Sequence, residues 1–401
     1  MPDKNASAIV VGGGPAGLTA AIALAAGSIE TVLVGKRPAA NDNRTTALLA
    51  GSVTALATLG VWDLCTDQAA PLRVMRIVDD TGRLWRAPEV KFEANEIGLE
   101  AFGYNIENRH LVAALERRAR TLSGLRIVED EVLNVVPGER AAAVSLRNGS
   151  ALTAELIVGA DGRRSLCREA AGIGIDEQAY PQVALTLCLK HSRPHRDTST
   201  EFHTPSGPFT LVPLPGQRSS LVWVLDPADA DALSSFDDAE LADEIERASH
   251  SILGKIEVEH GRGRFPLTRA SARRFAANRI ALVGEAAHVI PPIGAQGLNL
   301  GLRDAAAIGE RATAAHRAGH DIGGINVLVA YNRMRRADVG TRTLAVDLLN
   351  RTLLTDFLPV QGARGLGLYL IDRIGPLRRT LMREGVASTA VQPRLMRGDA
   401  L

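Results

Sequence analysis

Three glycines between the apolar run 8–11 and an Ala- and Leu-rich run that ends at residue 26 have the spacing of a phosphate-binding turn. In such a turn the first glycine bends the chain, the second lets backbone approach a diphosphate, and the third packs helix on strand. The helix N-terminus adds N–H donors and partial positive charge. We predict a dinucleotide site, with a purely structural turn as the alternative. The predicted binding residues are Gly12, Gly14, Pro15, Ala16 and Gly17.

The end of the next apolar run, 31–34, departs from this pattern. A carboxylate usually ends that strand and binds the adenosine ribose. Here Gly35 occupies the position, and Lys36 and Arg37 follow it. Both basic residues are predicted to contact the cofactor. They would also suit the 2′-phosphate of NADP, so a dehydrogenase that binds NADP without flavin is an alternative.

Two later motifs also follow apolar runs. Asp161-Gly162 follows 156–160, and the motif that starts at Gly284-Glu285 follows 279–283 and extends to Asn299. Ligands bind at such strand ends in open α/β sheets. The simpler alternatives are that Asp161 caps its turn, that His288 packs in the core, and that Pro291-Pro292 is a rigid loop. No metal-ligand spacing and no Ser-His-Asp arrangement is recognised.

The elements that must position these motifs are short buried strands, each followed by a helix. Between the strands at 156–160 and 279–283, the sequence contains three segments rich in β-forming residues, separated by Pro and Gly turns. These segments are 183–190, 208–214 and 219–225. Residues 237–253 read as a helix with an acidic first turn, and the chain after residue 303 is helical in pattern. We predict an α/β fold: a Rossmann-like domain, an inserted antiparallel β-sheet and a C-terminal helical region.

The composition of the 401 residues is that of a globular protein, with 46% hydrophobic and 23% charged residues, which excludes disorder and coiled coil. The net charge of +1 disfavours a nucleic-acid partner. The three cysteines form no CxxC pair, so a reduced, cytoplasmic compartment is expected. Glycines and a proline at 12–15 interrupt the apolar N-terminal run, so we expect neither a signal peptide nor a membrane span.

In this order, the three motifs resemble those of the class A flavoprotein monooxygenases with the para-hydroxybenzoate-hydroxylase fold. Within this family, the chain resembles one branch most, the ubiquinone-biosynthesis hydroxylases, and this resemblance covers nearly the whole chain. The segments that carry this closer resemblance are Phe202-x-x-Pro205-x-Gly207-Pro208, 211–215, 219–223, 299–304 and 347–351.

The resemblance implies FAD as the cofactor. It implies that Glu285 binds the ribityl chain, that Pro292 lies beside the flavin ring, and that backbone N–H groups of 297–299 face its N1/C2 edge. Arg44 and Arg109 match FAD-contacting arginines of the family. The further residues implied at the cofactor are Asp161, Gly294, Gly297, Leu298 and Asn299.

The resemblance also implies a division of the chain. The FAD-binding domain is expected to be discontinuous, at 1–75, 100–175 and 271–330. A substrate-binding β-sheet domain is expected at 76–99 and 176–270, and a C-terminal helical region at 331–401.

The implied activity is hydroxylation of the ring of a prenylated phenol in ubiquinone biosynthesis. In the family, NADH or NADPH reduces FAD, O2 reacts at flavin C4a, and one oxygen atom is transferred to the ring. A hydroxylase of small soluble aromatics is one alternative. Gly35, and Glu285 in place of the usual aspartate, motivate another, a non-catalytic flavoprotein-like subunit of a biosynthetic complex. The residues expected to line the substrate pocket are Thr210, Leu211, Val222, Val224 and Pro291.

The balanced total charge conceals an asymmetry. Residues 331–401 contain 12 arginines and six acids, a net charge of +6, whereas the first 330 residues carry −5. A basic helical tail suits an anionic membrane surface, so the protein is expected to be cytoplasmic, with peripheral contact to the inner membrane. The alternative is that the tail packs on its own body or on another subunit, as in a homo-oligomer or a ubiquinone-biosynthesis complex.

Overall fold

The structure is a computed structural model that describes residues 6–36, 44–82, 88–291, 296–354, 373–386 and 392–401. Side chains at 341–354, 377 and 384–386 are not described. The predictions for Arg37, Pro292 and Gly294 therefore lie outside the described residues.

The described residues form twenty strands in three sheets. Their bounds are β1 (Ala6–Val11), β2 (Thr31–Val34), β3 (Thr45–Leu49), β4 (Ala69–Pro71), β5 (Val74–Asp79), β6 (Val90–Glu93), β7 (Gly103–Glu107), β8 (Leu125–Val128), β9 (Val132–Val136), β10 (Ala142–Leu146), β11 (Ala151–Gly159), β12 (Ile175–His191), β13 (Thr198–His203), β14 (Pro208–Leu214), β15 (Arg218–Leu225), β16 (Ile256–Val258), β17 (Gly263–Ala272), β18 (Ala276–Ala277), β19 (Ile280–Leu282) and β20 (His288–Val289).

Nine α-helices lie within the described ranges. They are α1 (Pro15–Ala26), α2 (Ala50–Thr58), α3 (Asn108–Ala119), α4 (Leu166–Ala170), α5 (Pro227–Ser235), α6 (Asp238–Ala248), α7 (Gln296–Arg317), α8 (Ile325–Leu354) and α9 (Gly375–Val386). No helix in this part of the chain is both long enough and apolar enough to cross a membrane.

The first sheet has a parallel centre in the order β19-β11-β1-β2-β8. Its strands are mostly apolar, as expected where helices cover both faces of a parallel sheet. Helix α1 lies against it, and eight of its twelve residues, Gly17–Leu24, are buried. The strands predicted at 8–11, 31–34, 156–160 and 279–283 are all central strands of this sheet.

The second sheet has nine strands and is largely antiparallel. Along β14 and β15 the side chains alternate between two faces, as the pleat requires. One face packs in an apolar cluster with α5 and α6. On the other face, Ser220 accepts a hydrogen bond from Asn105 Nδ2 at 3.0 Å. Asn105 belongs to β7 of the three-stranded sheet, so this second face is turned toward that sheet, whose strand β3 is hydrogen-bonded to α7.

The helix predicted at 237–253 begins where its acidic start suggests. Asp237 accepts hydrogen bonds from the N–H groups of Ala239 and Glu240, and the Glu240 carboxylate accepts from Asp237 N–H. This reciprocal capping box fixes the start of α6. The helix ends at Ala248, earlier than predicted.

Candidate functional site

The three sequence motifs meet at one edge of the parallel sheet. Strands β1, β11 and β19 end there, at Val11, Gly159 and Leu282. Ala160 N–H donates to Val11 O at 2.7 Å, and Val283 N–H donates to Gly159 O at 2.8 Å. The residues after each strand are therefore brought side by side, as the strand ends predicted.

The glycine turn has the geometry that its spacing predicts. Gly12 has φ of +122°, a conformation that L side chains rarely adopt. A Cβ there would lie 2.1 Å from Ala160 O. A Cβ on Gly14, in contrast, would have no atom within 4 Å. The turn is therefore closed toward the sheet at Gly12 and open at Gly14, in front of the N-terminus of α1, where a diphosphate would be held.

The start of α1, the Gly284 turn and α7 pack together at this edge. A Cβ on Gly284 would lie 3.2 Å from Ala16 Cβ, and one on Gly301 would lie 3.3 Å from the same atom. Only small residues allow this approach. It brings the turn that carries Glu285 next to the predicted diphosphate site.

Helix α7 begins at Gln296 and directs its first turn toward the same edge. The first N–H groups of a helix have no partner within it. A Cβ on Gly297 would meet no atom within 4 Å, so the backbone there is uncovered. The open glycine turn and this uncovered helix start fit FAD, with the diphosphate at α1 and the flavin edge at α7.

Asn299 has a different role from the one its position suggests. Its buried side chain accepts from Leu49 N–H at 2.9 Å and donates to Ala47 O at 2.8 Å. The amide thereby joins α7 to β3. Any contact of Asn299 with flavin would have to come from its backbone, as the resemblance implied, while Leu298 packs on the core.

Asp161 caps its own loop. Its two oxygens accept from Ser165 Oγ at 2.6 Å and from Cys167 N–H at 3.0 Å. This is the turn-capping alternative, and direct contact with the cofactor stays a prediction. Sequence reasoning missed the neighbouring Arg168. Its buried guanidinium donates to Ala286 O at 3.1 Å and to Arg163 O at 2.8 Å, which ties the Asp161 loop to the Gly284 turn.

Glu285 lies at the surface of the site, with 55% of its side chain exposed. Its Oε2 is 3.5 Å from Arg163 Nε, on the loop after β11. The extra methylene relative to aspartate lets the carboxylate reach across to this loop. The pair holds an acceptor at the mouth of the site, where the ribityl hydroxyls of FAD would lie.

Arg44 and Arg109 are brought together although 65 residues separate them. Asn108 N–H donates to Arg44 O at 2.9 Å, so both arginines stand at the junction of β3 and α3. Arg109 Nη2 donates to Glu107 Oε1 at 2.8 Å. Burial acts to raise the pKa of Glu107, but hydrogen bonds and charges from Arg218 and Arg109 outweigh it, and the pKa is lowered. A charged Glu107 therefore holds Arg109 in place.

Lys36 is matched by a carboxylate of the chain itself. Its Nζ lies 2.7 Å from Glu131 Oε2, and Arg147 Nε donates to the same oxygen at 2.7 Å. The hydrogen bonds from Lys36 and Arg147 lower the pKa of Glu131. Lys36 is 68% exposed, so this is a surface ion pair, and contact of Lys36 with the cofactor stays a prediction.

A buried charge cluster supports the Gly284 turn from behind. Asp304 Oδ2 accepts from Gly284 N–H at 2.9 Å and lies 2.7 Å from His288 Nε2. Arg335 Nε donates to Asp304 Oδ1 at 2.5 Å, and its Nη1 donates to Asp338 Oδ2 at 2.5 Å. His288 is thus part of a packed network, in agreement with its structural interpretation. No sequence spacing signalled the pairing of Asp304 with Arg335.

Burial acts to raise the pKa of Asp304, but the charges of Arg335 and His288 and their hydrogen bonds outweigh it, and the pKa is lowered. Asp304 is fully buried and is held as a carboxylate. Arg335 of α8 thereby holds the Asp304 carboxylate that accepts from Gly284 N–H, and so fixes the turn that carries Glu285.

The predicted substrate residues divide between two faces of the second sheet. Thr210 and Val222 are register partners. They share the site-facing surface with Val224, which is buried with Ala184 and Leu267. Pro291 is buried just after β20.

Leu211, which was expected on the same wall, does not share this face. It follows Thr210 on the same strand and therefore points to the opposite face, where it is buried in the cluster that packs on α5 and α6. It cannot line a pocket at the flavin edge.

Comparison with known proteins identifies the class of this site. Residues 5–343 match the FAD binding domain family. The chain is 36% identical to ubiquinone hydroxylase UbiL of Rhodospirillum rubrum, over 100% of this chain and 94% of that protein. It is 32% identical to 3-demethoxyubiquinol 3-hydroxylase of Escherichia coli, over 96% of this chain and 99% of that protein.

The crystal structure of p-nitrophenol 4-monooxygenase PnpA from Pseudomonas putida superposes with a TM-score of 0.79. It covers 97% of this chain and 100% of that protein at 19% identity, a likeness of fold alone.

The chain therefore belongs to the FAD binding domain family of flavin-dependent monooxygenases, in its branch of ubiquinone-biosynthesis hydroxylases. It is an enzyme that uses FAD. The expected fold class, cofactor and monooxygenase activity are confirmed.

Proposed function

We propose that this monooxygenase hydroxylates the aromatic ring of a prenylated phenol on the way to ubiquinone, with NADH or NADPH as the reductant. The observation that carries the proposal is the meeting of the α1 start, the Gly284 turn and the α7 start at one edge of the parallel sheet. The printed names of the relatives, a ubiquinone hydroxylase and a demethoxyubiquinol hydroxylase, support the substrate class.

FAD, when bound, supplies the redox and oxygen chemistry. The chain supplies binding and orientation. With FAD bound, the N-terminus of α1 would hold the diphosphate, Glu285 would accept from ribityl hydroxyls, and N–H groups of the first turn of α7 would stabilise negative charge on the flavin. Arg44 and Arg109 add positive charge at the junction of β3 and α3.

The substrate roof is the face that carries Thr210, Val222 and Val224. On this face Tyr180 and Val222 pack against the buried side chains of Val224 and Leu267 in one apolar cluster. Each buried CH₂ of a prenyl chain contributes roughly 0.8 kcal/mol, so such a wall favours a prenylated over a small soluble phenol. An apolar roof also keeps water from the reacting ring.

A deletion strain complemented with the wild-type gene tests the proposal. We expect the deletion to accumulate one under-hydroxylated prenylphenol, and complementation to restore ubiquinone. Purified protein should absorb near 450 nm when loaded with FAD. An unchanged quinone pool, together with turnover of small phenols by the purified enzyme, would instead favour a hydroxylase of soluble aromatics.

We also propose that the enzyme touches an anionic membrane through α9. Ile374, just before α9, and Leu381, on α9, are 43% and 45% exposed, two of the eight exposed large apolar side chains among the described residues. Arg373, Arg379 and Arg383 surround them and are exposed. Apolar and basic side chains on one short segment suit the boundary of an anionic bilayer.

A further inference from the structure

We infer that Glu129, directly after β8, the strand that pairs with β2, supplies the carboxylate that binds the adenosine ribose of FAD in this chain. The inference rests on the use of FAD in the proposed function. Dinucleotide sites usually carry this acceptor at the end of the second strand, which is β2 here. In this chain the acceptor would lie at the end of the neighbouring strand β8.

The strand register places Glu129 beside Gly35. Strands β2 and β8 are parallel, and Val34 is the register partner of Val128. Gly35 N–H donates to Val128 O at 3.1 Å. Gly35 and Glu129 are thus the next residues on the two strands, about 4.8 Å apart in the pairing direction. A glutamate side chain spans that distance.

Position 35 itself has no room for a side chain. A Cβ there would lie 2.4 Å from Gly13 N and 3.0 Å from Gly13 Cα. Both atoms belong to the backbone of the glycine turn, so they cannot yield as the end of a flexible side chain would. Position 35 therefore cannot supply the ribose carboxylate in this chain.

Glu129 lines a narrow crevice that opens on the glycine turn. The crevice is bounded by Gly13, Leu18, Leu33, Gly35, Lys36, Glu116, Arg120, Ile127 and Glu129. Two carboxylates there face the same cation: Arg120 Nη2 is 3.8 Å from Glu129 Oε1 and 4.0 Å from Glu116 Oε2.

The other carboxylate after β8 is held differently. Glu131 Oε2 lies 2.7 Å from both Lys36 Nζ and Arg147 Nε, so this carboxylate is bound by two cations. Glu129 is 52% exposed, follows the register partner of Val34 and lines the crevice together with Gly13 and Gly35. Of the carboxylates near this turn, Glu129 is therefore the one placed beside the position that usually carries the ribose acceptor.

The test is FAD binding by full-length apoprotein, followed by flavin fluorescence. The two ligands are FAD and an FAD analogue whose adenosine carries 2′-deoxyribose. Wild type should prefer FAD by about tenfold, the value of one charge-assisted hydrogen bond. Glu129→Gln should lose about tenfold in FAD affinity and bind the two ligands equally. The matched control is Glu116→Gln, which faces the same Arg120 from α3 and should keep the wild-type preference.

If Glu129→Gln retains the preference for FAD, or if Glu116→Gln loses it to the same extent, the assignment is overturned. If wild-type protein binds neither ligand, the use of FAD fails and the assignment fails with it. The wild-type titration therefore separates failure of the proposed function from failure of the assignment to Glu129.

Discussion

At the residue scale, the most informative position is one where an expected side chain is missing. Gly35 removes a ribose acceptor from the end of β2. The packing gives a different reason for glycine, because the turn backbone of Gly13 occupies the space of a Cβ. The glycine is needed for the close approach of β2 to the phosphate turn.

Gly35→Ala should therefore displace the glycine turn and weaken FAD binding. A Cβ 2.4 Å from Gly13 N cannot be accommodated without moving that backbone, and overpacking of this kind typically costs about 1–3 kcal/mol. Calorimetric titration with FAD and urea unfolding would measure both effects.

Gly340→Ala is the control. This glycine lies in α8, and a Cβ there would meet nothing within 4 Å. Alanine should stabilise the helix by about 0.5–1 kcal/mol. Equal FAD affinity in wild type and Gly35→Ala would show that the turn tolerates a side chain at position 35.

At the element scale, α7 and α8 act as a support for the site. The cluster of Asp304, Arg335, Asp338 and Arg303 is buried, and it joins the two helices to the Gly284 turn. A balanced buried cluster gives little net stability but makes removal of one member costly. The orientation of the turn therefore depends on Arg335 of α8, which acts through Asp304.

Arg335→Met should destabilise the protein by about 3–5 kcal/mol, because it leaves Asp304 and Asp338 buried without their shared cation. The neighbouring exposed Arg336 offers the matched control, Arg336→Met, which should change stability by less than about 0.5 kcal/mol. Urea unfolding of both variants measures the difference. Similar unfolding midpoints would contradict a supporting role for the cluster.

Strand alternation makes a second prediction at this scale. Val222→Asn introduces a polar amide into the site-facing wall and should raise the KM for a prenylated phenol about tenfold, while leaving an unprenylated phenol unaffected. Leu211→Ala, on the helix-facing side, should lower stability by about 2–5 kcal/mol without changing that preference. Steady-state kinetics with both phenols, paired with unfolding curves, would expose an inverted face assignment if the two phenotypes were exchanged.

At the scale of the whole molecule, parts of the basic C-terminal region pack on the rest of the protein. Arg378 pairs with Glu96 at 2.7 Å and lies over the ring of Phe92. Met382 is buried in the same cluster, and Leu395 and Met396 pack in the main core. For these residues the alternative applies, in which the tail packs on the rest of the protein. The outer side of α9 nevertheless keeps apolar and basic side chains exposed.

Ile374→Asn combined with Leu381→Asn should reduce flotation with phosphatidylglycerol vesicles, because it removes the apolar contacts of α9 with the bilayer. Flotation with phosphatidylcholine vesicles should be weak for every form. The control pair, Ile325→Asn with Val329→Asn, changes exposed apolar residues on α8 instead. Undiminished flotation of the α9 variant would exclude this helix as the contact.

Protonation should lower the stability of the whole molecule as the pH falls. Burial depresses the pKa of His191, so its contribution is present above the unfolded value near 6.5 and is lost on acidification below it. The lowered pKa values of Asp304 and Glu107 act in the same direction below about pH 4. Urea midpoints at pH 8, 6 and 4 should therefore decrease in that order, and a rise between pH 8 and 4 would refute these shifts.

The sequence by itself determined the parts of this protein that local chemistry specifies. Glycine spacing predicted the phosphate turn, apolar runs predicted the central strands, and motif order predicted the family and FAD. Alternation along β14 already implied that Thr210 and Leu211 face opposite ways, although both were assigned to one wall.

The tertiary structure alone decided which distant residues meet. It paired Arg163 with Glu285, placed Arg335 of α8 on Asp304, and set Glu129 beside Gly35. Sequence periodicity fixes the face on which a side chain lies. It does not fix which strand or helix lies next to that face, because that choice depends on how the elements pack together.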